Sequence, residues 1–467
     1  MRAHTTRRKF IRIGTIAAGV SIAGCVGDST DEPDADDSVD EEDDTTEDDA
    51  AEDDGTEDDE SAGDDDDPAE FDGYEVWALD QGTNLVYIYE LVDDDESATD
   101  GEDDESATDD EDDESATDHA AEDGPSFELV DTIDFGEYDA DVPHMIDFSS
   151  DYSYAAVACT AGEKTVVLRT DDREVVDVLD TGAGSHMASF SPDDEYIHVD
   201  VIGEETIVRV DADLDEDSFE IVDEIYLPDD ETVQDAGIEP AAPICHQFSQ
   251  EGYTYHTLGP SYHDAGLVVV DHDDFSVVEA FDGDELPTNC GTMPHPTESK
   301  FYLTAGLPSD PDEGEDGVGA YYVLDTETNE VIEHGDTGGY DAHGFWFTPD
   351  GEELWVLNRE TDDGIVLDPD TDEVVEEIDD FGPAPDIMWA SPDGEYMFVS
   401  LRGPNPVSGD PHAATGETPG FNVLDIESRG IVQTVVPDGE NEDSDFHGIG
   451  VRPLGDVDPD QPVSPPF

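Results

Sequence analysis

The sequence predicts an all-β fold, a seven-bladed β-propeller with four-stranded blades, and three observations lead there. First, short runs rich in Val, Ile, Tyr and Phe alternate with Asp-Gly-type turns, and no long stretch carries a helical period. Second, a strand–turn–strand unit recurs: "HMIDFSSDYSYAAVA", "HMASFSPDDEYIHVD", "CHQFSQEGYTYHTL", "CGTMPHPTESKFYLTA", "HGFWFTPDGEELWVL", "DIMWASPDGEYMFVS" and "HGIGVRPLGD". Third, each of the first six is followed by a third strand such as "GLVVVD" or "GIVLD" and a fourth such as "EVVEEI". Four strands per unit at a spacing of roughly 42 to 61 residues is the pattern of propeller blades. The seventh unit, "FHGIGVRP", supplies only a first strand. The missing three are "YEVWALD", "NLVYIYE" and "SFELVDTIDF" near the N-terminus, so the C-terminal first strand joins the N-terminal strands and the ring closes without an open edge.

The segments outside the blades divide as follows. Residues 1–25 read as a twin-arginine lipoprotein signal: Arg7 and Arg8 precede Phe10 and a short apolar run, and "SIAGC" resembles a cleavage box with Cys25 as the lipidated residue. The expected location is therefore outside the cell, lipid-anchored on the outer face of the cytoplasmic membrane, after export in the folded state. Residues 26–72 form an acidic disordered tether. The propeller covers 73–455, interrupted by an acidic loop at 93–124 that carries "DDESATD" three times, and 456–467 are a C-terminal tail.

Charge excludes one class of partner. The chain has 131 Asp+Glu against 14 Lys+Arg, five of these in the signal, for a formal net charge of −117. A nucleic acid would be repelled rather than bound. Only Lys164 and Lys300 follow the signal, a composition that resembles haloarchaeal proteins, whose carboxylate surfaces stay hydrated where screening lengths are about 3 Å or less.

The residue five before each turn carries the functional signal. It is His144, His186, Cys290, His343, Asp386 and His447 in six units, and the remaining unit offers Cys245 or His246, displaced by one or two positions. First strands line the central channel, so nearly every blade brings a metal-ligand type to one level of the axis. The expected site is a metal held by His144, His186 and His447, with Asp386 or His343 completing the shell. Imidazoles with a carboxylate suit Zn²⁺, with Cu²⁺ as the alternative ion. Cys245 and Cys290, in adjacent blades of an exported protein, are expected to form a disulfide; Cys159 is expected to be a buried thiol. His246, His256 and His263 fall on different strands and at different depths, His295 at a surface turn, and His198 and His412 have no visible partner. Trp77, Trp346, Trp355 and Trp389 read as packing between blades.

The blade core "SPDGEYMFVS" resembles the YVTN-type propellers. With the exported lipoprotein signal and the first-strand ligands His144, His186, His447 and Asp386, the chain is similar to the AztD-like periplasmic zinc metallochaperones. That resemblance implies a protein that is not an enzyme, binds zinc in the channel and hands it to the solute-binding protein of a zinc ABC transporter. The acidic loop departs from the family's histidine-rich stretch, holding only His119. Two other classes stand beside this one: a metal-free surface scaffold for protein interaction, and a propeller enzyme, lactonase or redox, against which the absence of a Cys-x-x-Cys-His haem motif counts.

Overall fold

The computed structural model describes residues 73–92, 125–259, 266–288, 290–309, 314, 316–407, 415–437 and 442–455. The signal with Cys25, the tether, the acidic loop and the tail lie outside the described residues, as do His263 and His412.

Seven four-stranded antiparallel sheets make up the fold, six with strands in sequential order and one that joins the last strand to the first three. Their first strands are Pro143–Phe148 (blade 1), Ser185–Phe190 (blade 2), Ala242–Phe248 (blade 3), Thr292–Pro294 (blade 4), Ala342–Phe347 (blade 5), Pro385–Ala390 (blade 6) and Phe446–Pro453 (blade 7). Blade 7 closes as expected: Phe446–Pro453 pairs antiparallel with Tyr74–Asp80, joining Val451 to Val76 and Ile449 to Ala78. Chain ends thus meet inside one sheet, and the ring has no open edge strand at the axis.

The hairpin at the heart of each blade follows from its turn chemistry. In blade 2, Ser191 Oγ donates to Asp193 at 2.6 Å and accepts from the Tyr196 amide at 3.0 Å. Ser391, Asp393 and Tyr396 repeat the arrangement in blade 6. The turn needs a left-handed residue, which is why glycine stands at Gly351 (φ 70°) and Gly394 (φ 72°).

Burial grades outward along each blade. The second strand Tyr154–Cys159 is buried throughout, whereas the fourth strand Glu373–Ile378 is exposed except at its last residue. The outer strands carry the acidic residues, so solvated charge guards the outer edges against pairing with another chain. Between blades, Trp346 stacks on Trp389 with ring centres 4.1 Å apart, and Trp77 meets Phe148 edge-on at 5.9 Å. These tryptophans are inter-blade packing, as the sequence suggests. His295 corrects its surface assignment: it is 6% exposed, and its Nδ1 accepts from the amides of Thr297 and Glu298, doing the work serine does in the other turns.

Candidate metal centre

Each blade contributes one side chain to a closed ring at the axis. Going round, His144 Nε2 lies 2.8 Å from His186 Nε2, His186 Nδ1 lies 3.6 Å from Cys245 Sγ, and Cys245 Sγ lies 2.8 Å from Cys290 Sγ. Cys290 hydrogen-bonds His343, His343 Nδ1 lies 3.1 Å from Asp386 Oδ1, and Asp386 Oδ2 lies 3.6 Å from His447 Nε2. His447 stacks on His144 at 3.7 Å between ring centres, and the circle is complete. Blade 3 resolves its open choice in favour of Cys245. Ile244 occupies the repeat position there, and Cys245 reaches the ring from within the bulge between Pro243 and His246.

The imidazoles are held by their outer nitrogens. His144 Nδ1 donates to Gln81 Oε1 at 2.9 Å, and the orientation of that amide is fixed because Gln81 Nε2 donates to Asp445 at 3.0 Å. His447 Nδ1 donates to the carbonyl of His144 at 3.1 Å, and His343 Nδ1 to that of Asp386 at 3.2 Å. Nδ1 protonation at His144 and His447 leaves the Nε2 lone pair as the metal-binding atom, the arrangement by which outer hydrogen bonds orient metal ligands.

Asp386 answers to cations rather than to the ring alone. Arg402 Nη1 sits 2.8 Å from its Oδ2 and Arg359 Nη1 3.5 Å from its Oδ1, while Arg402 also grips Asp445 with Nε and Nη2, each at 2.8 Å. Burial opposes the charge, but His447, Arg402, His343 and Arg359 hold the carboxyl well below its usual range. Burial keeps His144 and His447 neutral, well below the usual imidazole range. At His343 burial also opposes protonation, yet Asp386 and then Cys290 push it up to about 10. The hydrogen bond from Cys245 lowers the Cys290 thiol, with His186 and His343 assisting, whereas burial raises Cys245. These shifts favour the proton on His343 over the proton on Cys290, and a metal binding the thiols would release protons.

The side chains that converge divide the ring into two arcs. Ligand atoms of His186, Cys245 and Cys290 lie within 4.8 Å of one another, and so do those of His343, Asp386 and His447. His144 belongs with the first arc through its 2.8 Å approach to His186. Its face-to-face stacking on His447 sets those two rings side by side, whereas the sequence expectation grouped His144, His186 and His447 as the core. The cysteine sulfurs are adjacent at more than the about 2.05 Å of a disulfide and stand as a hydrogen-bonded pair. Cys159 is a buried thiol elsewhere in blade 1. Next to the ring, a cavity of about 50 Å³ is lined by Met145, Met187, Met293, Trp346, Trp389 and Asp147 among others.

One constellation escaped the sequence reading. His246 and His256 face each other in the register of blade 3, and both donate Nδ1 to Asp200 of blade 2, at 2.8 and 2.7 Å. His198 is two residues from Asp200 on the same strand. The signal was present in part: an His-x-Asp spacing puts both side chains on one face of a strand.

No family model matches the chain, and no curated protein does. Among solved structures, hydrazine synthase of Kuenenia stuttgartiensis is similar at 13% identity and a TM-score of 0.46, over 61% of this chain and 77% of that one. A likeness at that level carries no argument about chemistry.

Proposed function

We propose that the protein is a metal-holding propeller anchored on the outer face of the cytoplasmic membrane, a zinc metallochaperone that stores Zn²⁺ in the ring and passes it to the solute-binding protein of a zinc ABC transporter. The single observation that carries the reading is the closed circle of seven side chains, every one a metal-ligand type and every blade giving one. His186, Cys245 and Cys290 would hold the ion, a thiolate-and-imidazole set of the kind zinc favours, with about 2.3 Å to sulfur and 2.0–2.1 Å to nitrogen, while His144 orients His186 from its other nitrogen. Asp386, engaged by two arginines, acts as a positioning residue for His343 and His447. Those two imidazoles form the second arc, from which an ion can leave in steps rather than by breaking all its bonds at once.

Three methionines beside Cys290 favour a second reading for the ion, since thioether and thiolate together suit copper, in its reduced form above all. The test is zinc and copper analysis of protein refolded in high salt under reducing conditions, followed by competitor titration and by mixing with the metal-free solute-binding protein. The reading expects ring-bound zinc that is lost from a His186→Ala, Cys245→Ser, Cys290→Ser variant and that moves to the partner. Zinc retained in full by that variant sinks the ring as the site. A metal-free ring in the wild type leaves only a scaffold, whose hydrogen bonds from Gln81 through His144 and His186 to Cys245 already close without an ion.

A further inference from the structure

We infer a second metal site, separate from the ring, that clamps blade 2 to blade 3 through His198, His246 and His256, with Asp200 orienting two of them. All four side chains are 0% exposed. Asp200 accepts from Nδ1 of both His246 and His256, so each of those rings carries its proton on Nδ1 and presents an unprotonated Nε2. Both Nε2 atoms are buried with no hydrogen-bond partner, as are both nitrogens of His198 and Nδ1 of His272. Five orphaned imidazole nitrogens in one place are costly unless something fills the gap between them.

The ring spacings say what fits. With metal–nitrogen bonds of about 2.0–2.1 Å, the centre of a bound imidazole lies roughly 3.2 Å from its ion, so rings sharing one ion have centres about 4.5–6.4 Å apart. His246 and His256 are 4.7 Å apart, His198 and His246 6.1 Å, and His198 and His256 6.3 Å. The 4.7 Å spacing suits two imidazoles on one ion near a right angle, and the 6.1 and 6.3 Å spacings set His198 across from them: a circle through the three centres has a radius of roughly 3.4 Å, so the ion would lie close to their plane in a flat three-coordinate arrangement. Phe248 and Phe275 wall the site, 5.0 and 5.1 Å from His198 between ring centres. Arg209, opposite His198 in the strand pairing, turns its guanidinium over the face of Tyr196 at 3.5 Å. The donors are imidazoles steered by a carboxylate, with no sulfur, and that set takes Zn²⁺, with Cu²⁺ as its competitor.

The ligands place the function. His198 and Asp200 come from blade 2, His246 and His256 from blade 3, so the ion adds a fastening between neighbouring blades to the two hydrogen bonds that Asp200 accepts. A site so enclosed loads as the chain folds rather than afterwards. His246 also follows Cys245 directly, so the clamp fixes the strand that delivers a thiol to the ring.

The experiment refolds the full chain in high salt with zinc and counts metal after gel filtration. Wild-type protein is expected to hold about two zinc ions, one per site, and a His246→Gln, His256→Gln variant about one. The ring variant His186→Ala, Cys245→Ser, Cys290→Ser separates the two readings. If the clamp holds and the ring does not, this variant keeps all the wild-type zinc and the glutamine variant loses it. A glutamine variant that keeps all the wild-type zinc overturns the clamp. Should that variant fail to fold, anomalous diffraction at the zinc edge from wild-type crystals decides: a peak among the three imidazoles is expected, and its absence overturns the proposal.

Discussion

The axial ring and the Asp200 cluster are made of the same side chains in opposite conditions. Around the axis three of the four imidazoles, His144, His343 and His447, are tied at Nδ1 to a fixed acceptor, His186 spans His144 and Cys245, and arginines balance the one carboxylate. Between blades 2 and 3 a single carboxylate serves two imidazoles, and five ring nitrogens have no partner. The first network satisfies itself and can stand empty, as a site that gives up its cargo must. The second is incomplete without an occupant, as a structural site is. Affinity for an ion and tolerance of its loss are thus set by the groups behind the ligands.

The largest expected effect breaks the balance at the ring. Arg402 is 1% exposed and joins Asp386 to Asp445, so Arg402→Met leaves two buried carboxylates without the guanidinium they share. Urea denaturation in high salt should show a loss of about 3–5 kcal/mol. Asp200→Asn, which keeps an acceptor for one of the two histidines, should cost the metal-free protein only about 1–3 kcal/mol. A reversed order would mean that the inter-blade cluster, not the ring, depends on buried charge.

Asp147 reports on both regions, lining the channel beside Cys290 and lying within electrostatic reach of His246. Burial raises its carboxyl from the ordinary 3.8 to about 7, against hydrogen bonds from the amides of Phe190 and Phe148. Between those values the folded chain keeps a proton that the unfolded chain has lost, so this group's contribution to stability falls as pH rises and levels off above about 7. Asp147→Asn retains an acceptor for the Phe190 amide and removes the titration. Its stability relative to wild type should climb by up to about 4 kcal/mol between pH 4 and pH 7.5, read from thermal melts across that range. A difference flat in pH would show that the carboxylate is solvated in the channel.

The contrast also explains what the sequence could and could not reveal. The ring was legible because a repeat writes the same position into every blade: His144, His186, His343, Asp386 and His447 stand at one offset from one turn. Closure of blade 7 was legible from the unpaired strand counts at the two ends. Cys245 was ambiguous because a bulge moves the reaching side chain by one residue, a backbone event with no sequence signature here. The Asp200 cluster was hidden because its members occupy second strands and one first strand of two different blades, so no single period contains them. Gln81, Arg402 and Asp445 were missed for a related reason. They act on the ligands from behind: Gln81 and Arg402, like Arg359, each directly follow a second strand, and Asp445, like Asp341, stands two residues before a ring histidine, a repeat that lies outside the strand–turn–strand register.

Gln81 gives the next prediction, smaller and confined to the ring. Gln81→Leu removes the acceptor that holds His144 in its Nδ1-protonated form, leaving the ligands in place. Zinc affinity of the ring should fall by about 10–100-fold, while zinc held between blades 2 and 3 is unchanged. Competitor titration of the ring measures the first and total metal after exhaustive dialysis the second. Equal losses at both sites would point to a general loosening of the fold.

The smallest expected effect tests whether sulfur matters by position or merely by presence. Cys159 is as buried as Cys245, but among the described residues it has no thiol or imidazole beside it: burial, with the charge of Asp141, raises its thiol far above the usual range, and it donates to the Val157 carbonyl at 3.7 Å. A protonated thiol in such surroundings packs like a small apolar group and is a poor metal ligand. Cys159→Ala should therefore cost about 1 kcal/mol of packing and leave zinc content and ring affinity unchanged. Thiol counting sharpens the point, because the variant should keep, apart from Cys25, the same reactive pair after unfolding, Cys245 and Cys290, as thiols under reduction or as one disulfide after oxidation. Loss of zinc from Cys159→Ala would show that metal follows total sulfur rather than the axial geometry, and the distinction between a repeat-built ring and incidental thiols would fail.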